Sequence, residues 1–301
     1  MIAQHHGTVI HGLLIVDKEA GWTSHDVVAR VRRLIRQRQI GHAGTLDPLA
    51  TGVLILCLGQ ATRLAEYLQG HPKRYQATIR LGEITDTYDA EGKLVERRPV
   101  PLLSREALVS YLQRFQGAIT QWPPAFSAVK VAGVAAHRRA RRGEAIALPP
   151  REVIISELHL LSWTPPDLSL EIACSAGTYI RSLAHDLGQA IGCGAHLIAL
   201  RRTASGPFTL ADAVPLRELA QWVATGEWVK RVLPLAEATR GMPRLTLTPR
   251  EIRAVRHGQP IARPSATPDA LAAAFSEEGS LIAILRFDAT RQLWQPRKVL
   301  T

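Results

Sequence analysis

With 301 residues, 46% hydrophobic and 21% charged, the chain is long enough for a substantial core, and at about 150 residues per domain two domains are expected. No apolar run approaches the roughly 18 residues of a membrane span, and Met1–Gly12 has no basic stretch followed by an apolar one. Neither a membrane segment nor a signal peptide is predicted, and the cytoplasm is the expected compartment. The 37 Lys and Arg against 26 Asp and Glu leave a net charge of +11, which favours a polyanionic partner such as nucleic acid. Charge alone fits a solvated basic surface equally well.

Leu13 to Val16 is predicted as a short strand. Thr23, Ser24 and Asp26 offer capping chemistry for a helix through about Gln37. Val27, Val28, Val31, Leu34 and Ile35 form its apolar face, and Arg30, Arg32, Arg33, Arg36 and Arg38 cover the rest, as a solvated basic face would. Val53 to Leu58, bounded by Gly52 and Gly59, is a buried strand, so Asp47 and Pro48 sit in a loop leading into the core. Tyr75 to Leu81 alternates as a strand, and Leu108 to Phe115 has a helical pattern.

Between Trp122 and Pro150 proline stands at both ends of a basic middle (Arg138, Arg139, Arg141 and Arg142), either a lobe that closes on a phosphate backbone or an exposed helix. Leu168 to Cys174 is a strand, Arg181 to Ile191 a helix, and Leu197 to Arg202 a connection to another strand. Strands and helices without regular alternation argue for an α+β fold rather than a doubly wound parallel sheet. A second unit begins near Pro243. Thr248, Pro249 and Glu251 make a capping box with proline in the first turn, and Gly258 is placed to end that helix. A partly linker-like stretch from Arg263 to Ala274 follows, then strands Leu281 to Phe287 and Leu293 to Val299.

Phosphate-loop, zinc-helix and calcium-loop motifs do not occur, and Gly192 and Gly194 lack the third glycine of a dinucleotide fingerprint. Cys57, Cys174 and Cys193 have no metal-ligand spacing, so no zinc ribbon or disulfide framework is indicated. No metal and no cofactor is expected. Asp86 and Asp89 fit turn positions, and His185 a structural one. An Asp-Pro pair such as Asp47 and Pro48 is by itself more often a turn than a nucleophile.

The segment GHAGTLDPLATG (41–52) nevertheless resembles the aspartate motif of the TruB-type tRNA pseudouridine-55 synthases. Four further stretches match that family in order: DKEAGWTS (17–24), KRYQATIRLGEITDTYDAEG (73–92), PPAFSAVK (123–130), and CSAGTYIRSLAHDLG (174–188) continuing into GCGAHLIALRRTASGPF. The C-terminal LTPREIRAVRHGQPI and LIAILRF are similar to the family's PUA-like RNA-binding domain. The resemblance implies a pseudouridine synthase catalytic domain over 1–240, with a mixed, mainly antiparallel sheet flanked by helices and an inserted basic lobe at about 122–150. A small β-rich PUA-like domain over 244–301 completes it.

The implied reaction breaks the ribose C1′ to uracil N1 bond, turns the base, and joins C5 to the same carbon, without oxidation and without a cofactor. It needs an ionised carboxylate near the sugar, either attacking C1′ or starting elimination at C2′. By motif position that carboxylate is Asp47. Arg181 is the family's partner that keeps it ionised, a phosphate contact being the alternative. Tyr75 matches the tyrosine that stacks on the flipped uracil, with a hydroxyl available for the C5 proton. Tyr179 borders the pocket, Leu200 forms an apolar wall, and His42 fills the gap left by the base. Lys18, Arg63, Lys130 and Arg141 are further candidates for substrate contact, Arg63 standing where lysine is frequent.

Glu19, Phe126 and His137 depart from the family pattern, and Phe126 loses a hydroxyl that the family's tyrosine carries. The expected partner is the T-arm stem-loop of tRNA, bound by a monomer with no obligatory protein partner. A guide-RNA-dependent synthase would share the nucleophile, and a chaperone would use the same basic surface without it. A glycoside hydrolase would need two paired acids, and only Asp47 has a motif around it.

Overall fold

A computed structural model describes residues 9–124, 126, 130–131, 134–135, 148–264 and 267–300. Arg141 and most of the predicted basic lobe lie outside them. Strand β1 (Gly12–Lys18) is followed by helix α1 (Ser24–Ile35), β2 (Ile40–Ala43) and β3 (Thr51–Leu58). Thr23 caps α1 in a capping box with Asp26, as the sequence predicts. Next come β4 (Lys73–Leu81), the hairpin β5–β6 (Glu83–Thr85, Leu94–Arg97), helix α2 (Arg105–Gln113) and β7 (Gly117–Gln121). The short pair β8–β9 (Lys130–Val131, Val134–Ala135) precedes the long strands β10 (Arg151–Thr164) and β11 (Asp167–Cys174). Helix α3 (Ile180–Ile191) leads into β12 (Ala195–Ser205), and β13 (Phe208–Thr209) and β14 (Val214–Pro215) close the large sheet.

That sheet runs β14-β1-β3-β12-β4-β11-β10-β7, with β2 on β3 and β13 on β12. Only the β1–β14 and β3–β12 pairs are parallel, so the sheet is mixed and mainly antiparallel, as expected. β1 is apolar over Leu13–Val16 and β3 over Val53–Leu58 because both their faces are buried there. Leu14, Val16, Leu54 and Leu56 join a core with α1, α2 and α3. Leu13, Ile15, Val53 and Ile55 face a second core that includes Phe275, Ile284 and Leu300.

The C-terminal unit is therefore β-rich and pressed against the back of the large sheet. Its own sheet is β15 (Arg244–Thr246), β16 (Leu271–Phe275), β17 (Leu281–Asp288) and β18 (Leu293–Val299), with a helix at Pro249–Arg256. Two polar ties cross to it: Arg63 Nη1 donates to the Val299 carbonyl, and Lys298 pairs with Glu66 at 2.9 Å.

Two expectations are corrected, and one strand was not foreseen. Leu197 to Arg202 is not a connection but the middle of β12, where bulges between Leu197 and Ala199 and between Arg202 and Ala204 break the alternation. β10 escapes the pattern for the same reason, with irregular register at Ile155/Glu157 and Leu160/Ser162. The end of the stretch 263–274 is not linker but the start of β16, whose small alanines are buried between β15 and β17.

Helix α3 is held unusually close to β12. A Cβ on Gly188 would stand 2.2 Å from the Ala195 amide nitrogen. Helix propensity alone makes Gly188→Ala stabilising by about 1 kcal/mol. Overpacking reverses the sign, and urea denaturation should show a loss of about 1–3 kcal/mol. A raised denaturation midpoint would mean that α3 is free to move away from β12.

Candidate active site

The loop between β2 and β3 is held from three sides. Ser24 Oγ, at the start of α1, accepts from the Leu46 amide at 2.9 Å and donates to the Leu46 carbonyl at 3.2 Å. Lys18, fully buried at the end of β1, spends its ammonium hydrogens on the carbonyls of Glu19, Trp22 and Pro48 at 2.9, 2.6 and 3.2 Å. Arg202, buried on β12, donates from Nη2 to the Gly44 carbonyl at 3.0 Å, from Nη1 to Thr45 at 3.3 Å and from Nε to Val53 at 2.7 Å. Gly52 permits this approach: its φ is +98°, and a Cβ there would lie 2.2 Å from the Arg202 carbonyl oxygen. The short segment from Gly44 to Pro48 is thereby fixed, and Asp47 projects from it.

Asp47 meets Arg181, the second residue of α3. Arg181 Nε approaches Asp47 Oδ2 to 2.9 Å, and Nη2 donates to Oδ1 at 3.1 Å. The other side of the same guanidinium faces Asp89, with Nη1 3.5 Å from Oδ2. Nη1 also donates to the Thr87 carbonyl at 3.2 Å and Nη2 to the Phe126 carbonyl at 3.0 Å. The side chains of Arg181 and Asp89 are 5% and 4% exposed, whereas that of Asp47 is 36% exposed. Arg181 is thus a buried cation between a hidden carboxylate and one that opens to solvent.

Asp86 and Asp89 both serve the turn, as expected: Asp86 accepts from the Lys93 amide at 2.7 Å, and Asp89 accepts at Oδ1 from Thr87 Oγ1 at 2.6 Å and the Glu91 amide at 3.1 Å, and at its carbonyl from the Gly92 amide at 3.2 Å. Asp89 has a second role that a turn pattern does not show, because its Oδ2 faces Arg181. The β5–β6 loop reaches it by pairing with β12: Leu197 donates to Tyr88, and Ala90 donates to Leu197.

Asp47, Tyr75, Tyr179, Arg181, Leu200 and Arg202 share the walls of one pocket of about 350 Å³. Tyr75 enters from β4 between Ile172 and Arg202 on the adjacent strands. Tyr179 immediately precedes α3 and is clasped by Gln121, which accepts from its amide at 3.0 Å and donates to its carbonyl at 3.2 Å. The Arg151 guanidinium lies 5.6 Å from the Tyr179 ring centroid. Five residues expected at the site from the sequence therefore converge on one cavity.

The other candidates stand elsewhere. His42 is on β2 outside the pocket wall, its ring edge-on to His25 at 5.2 Å, with Nδ1 buried and unpartnered. Arg63 is exposed and stands outside the pocket wall, and one of its five N–H donors, on Nη1, is given to the Val299 carbonyl of the C-terminal unit. Lys18 supports the Asp47 loop from below, and its buried ammonium has no hydrogen left for a substrate. Lys130 is described only as part of β8. Arg202 and Asp89 are the residues the sequence reading missed. Arg202 stands two residues after Leu200 inside a matched stretch, but its neighbour Arg201 bears the same charge and bonds Asp17 outside the pocket.

Burial pushes the Asp47 carboxyl above the ordinary carboxylate range; Arg181 is the strongest opposing influence, and Asp89 adds a further upward push. Burial also raises the Tyr75 hydroxyl, against the charge and hydrogen bond of Arg202. Lys18 is lowered to about 8 and His42 to about 4, each mainly by burial, so His42 is neutral near pH 7. Among the described residues no cluster of His, Cys, Asp or Glu is arranged to hold a metal.

A mixed sheet that holds an aspartate, a buried arginine and a tyrosine around one pocket places the chain in a known class. A family model described as TruB family pseudouridylate synthase (N terminal domain) matches residues 32–180, and one described as tRNA pseudouridylate synthase B C-terminal domain matches 181–239. The chain is a pseudouridine synthase, an isomerase.

It belongs to the TruB family. The tRNA pseudouridine synthase B of Thermobifida fusca (strain YX) is 50% identical over 260 residues, 83% of this chain and 86% of that protein. The one from Arthrobacter sp. (strain FB24) is 44% identical over 291 residues, 92% and 93% of the two. Among solved structures, a chain of a Cbf5-Nop10-Gar1 complex aligns with a TM-score of 0.76 at 27% identity, covering 97% of this chain and 84% of that one.

Arg181 and Asp89 act on Asp47 in opposite directions and give opposite predictions for the pH profile. A carboxylate that acts ionised loses activity as pH falls through its pKa. Arg181→Met removes the influence that lowers the Asp47 pKa, so the acid limb of kcat moves to higher pH. Asp89→Asn removes one that raises it, so the limb moves to lower pH. Limbs that shift in the same direction in steady-state assays would contradict this assignment.

Proposed function

We propose that this chain isomerises uridine 55 in the T loop of tRNA to pseudouridine, acting in the cytoplasm as a stand-alone monomer. Asp47 is the reacting carboxylate. The observation that carries this reading is the Asp47–Arg181 pair, open to a pocket on one side and anchored by buried Asp89 on the other. A pocket of about 350 Å³ lined by Tyr75 and Leu200 suits a base flipped out of the loop, at a cost of a few kcal/mol.

In this account Asp47 acts on the ribose, at C1′ as nucleophile or at C2′ as base, and the C1′–N1 bond breaks with its electron pair on N1. Tyr75 stacks on the released uracil while it turns, and C5 bonds to C1′ as the Asp47–C1′ bond breaks and its electron pair returns to the carboxylate, or, in the elimination route, as Asp47 gives the proton back to C2′. The C5 proton leaves through the Tyr75 hydroxyl and N1 ends protonated, so the atoms balance without water, oxidant or cofactor. Tyr179 borders the base and His42 fills the vacated position in the RNA. Lys130 and Arg141, from the lobe at about 122–150, contact phosphates. Residues 1–240 form the catalytic domain, and 244–301 a PUA-like RNA-binding domain. Arg63 contacts phosphate, and Lys18 is assigned support of the protein's own backbone in place of substrate contact.

The tRNA pseudouridine synthase B relatives, at 44–50% identity over most of the chain, support tRNA as the substrate. A guide-RNA-dependent enzyme is the rival, since the neighbouring solved structure is of a Cbf5-Nop10-Gar1 complex. Incubation of the purified chain with a bare T-arm stem-loop separates the two. Pseudouridine at the position equivalent to 55 is expected, and none without added protein or guide RNA would refute stand-alone action.

Arg181→Lys keeps a cation but loses the planar contact to both carboxylates. Turnover should fall at least tenfold while the Kd for tRNA changes less than threefold. Equal losses in both would assign Arg181 to phosphate binding.

A further inference from the structure

The end of α1 carries five arginines in nine residues, Arg30 to Arg38, and no acid. The one acid of this helix, Asp26, is at the opposite end and engaged in the Thr23 cap. Arg30 lies over the Trp22 ring at 5.4 Å, and Arg32 donates to the Ile40 carbonyl, so these two have protein partners. Arg33, Arg36 and Arg38 are exposed, and among the described residues none of them meets a carboxylate. With Arg32 and Gln37 they line a shallow depression of about 540 Å³.

Local stability does not account for this cluster. The helix dipole favours Arg32 and Arg33 in the last turn by some tenths of a kcal/mol. It does nothing for Arg36 and Arg38, beyond the helix end, and like charges this close repel. Arg36 also adopts the left-handed conformation at φ +52°, where a non-glycine residue costs about 1–2 kcal/mol. That turn folds the chain back so that Arg36 and Arg38 join Arg32 and Arg33. Gln37 holds it in place, exchanging hydrogen bonds with the Ile10 amide and carbonyl at 2.9 Å each. Three guanidinium groups without a carboxylate partner among the described residues are thereby gathered at the helix end and its pinned turn, a donor set suited to phosphate oxygens.

Its location names the ligand. β2 starts at Ile40 beside the cluster and ends at Ala43, one residue before the pocket-lining Gly44, a span of roughly 10–13 Å. The cluster thus stands within the length of a few nucleotides of the pocket.

We propose that Arg33, Arg36 and Arg38 form a second RNA-binding surface that takes phosphates of the double-stranded stem next to the modified loop. This rests on the assignment of a stem-loop RNA as the substrate. Each phosphate contact contributes about 0.7–0.9 to the slope of log affinity against log salt, so three contribute roughly 2–3.

The test uses the full chain and a series of stem-loops with one loop sequence and stems of increasing length. Wild-type affinity should rise with stem length. For Arg33→Gln/Arg36→Gln/Arg38→Gln, with an unchanged circular dichroism spectrum and Tm, the rise should be lost and the salt slope on long stems should fall by 2–3. The single variant Arg38→Gln should show about a third of that change. A wild-type affinity independent of stem length, or a triple variant that gains with stem length as the wild type does, would overturn the proposal. So would an equal loss at every length, including the shortest. Wild-type turnover on the shortest stem-loop reads the activity itself, so failure of the substrate assignment appears there and not in the stem-length dependence.

Discussion

A guanidinium withdrawn from water must be surrounded by acceptors, and Arg181 organises the site around that requirement. Burying an unpaired charge costs several kcal/mol, and breaking a buried pair about 3–5 kcal/mol. Arg181 is surrounded by Asp89 on its hidden side, by two backbone carbonyls, and by Asp47 on the side that opens to the pocket. One positive charge shared by two carboxylates leaves Asp47 incompletely neutralised. It is held in position and drawn towards the ionised form, yet retains a pKa above the usual carboxylate range.

The rest of the catalytic half exists to bring those three groups together. Asp47 comes from the loop before β3, Arg181 from the first turn of α3, and Asp89 from a hairpin loop that pairs with β12. Their alignment depends on buried cations that make no salt bridge. Lys18 and Arg202 donate to backbone carbonyls around the Asp47 loop, which fixes it without competing for its carboxylate. Arg202 extends the same support to the Tyr75 hydroxyl. Two lysine and arginine side chains thus do structural work that a count of surface charge would assign to RNA.

Much of this was legible in the sequence where short-range chemistry dominates. The cap at Thr23, the doubly buried strand β3, the helix α3 and the α+β class all follow from local pattern. The convergence of Asp47, Tyr75, Tyr179, Arg181 and Leu200 was accessible through matched motifs, since no local pattern relates residues more than 130 positions apart. Asp89 was not legible, because TDTYD has the composition of a turn and the inward rotation of one carboxylate is set by a distant strand. β10 and β12 were obscured by bulges that interrupt the period of two. Lys18 looks like a phosphate ligand in sequence, and only the tertiary structure shows its hydrogens directed to the protein's own carbonyls.

The account turns on Asp47 as the carboxylate whose loss stops the chemistry while leaving the pocket intact. The most direct measurement is a map of pseudouridine in total tRNA from cells in which the chain is replaced by its Asp47→Asn form. The account predicts that pseudouridine 55 disappears while the purified variant still binds tRNA with an affinity within a few-fold of wild type. Retention of pseudouridine 55 in cells with no other enzyme for that site would contradict it.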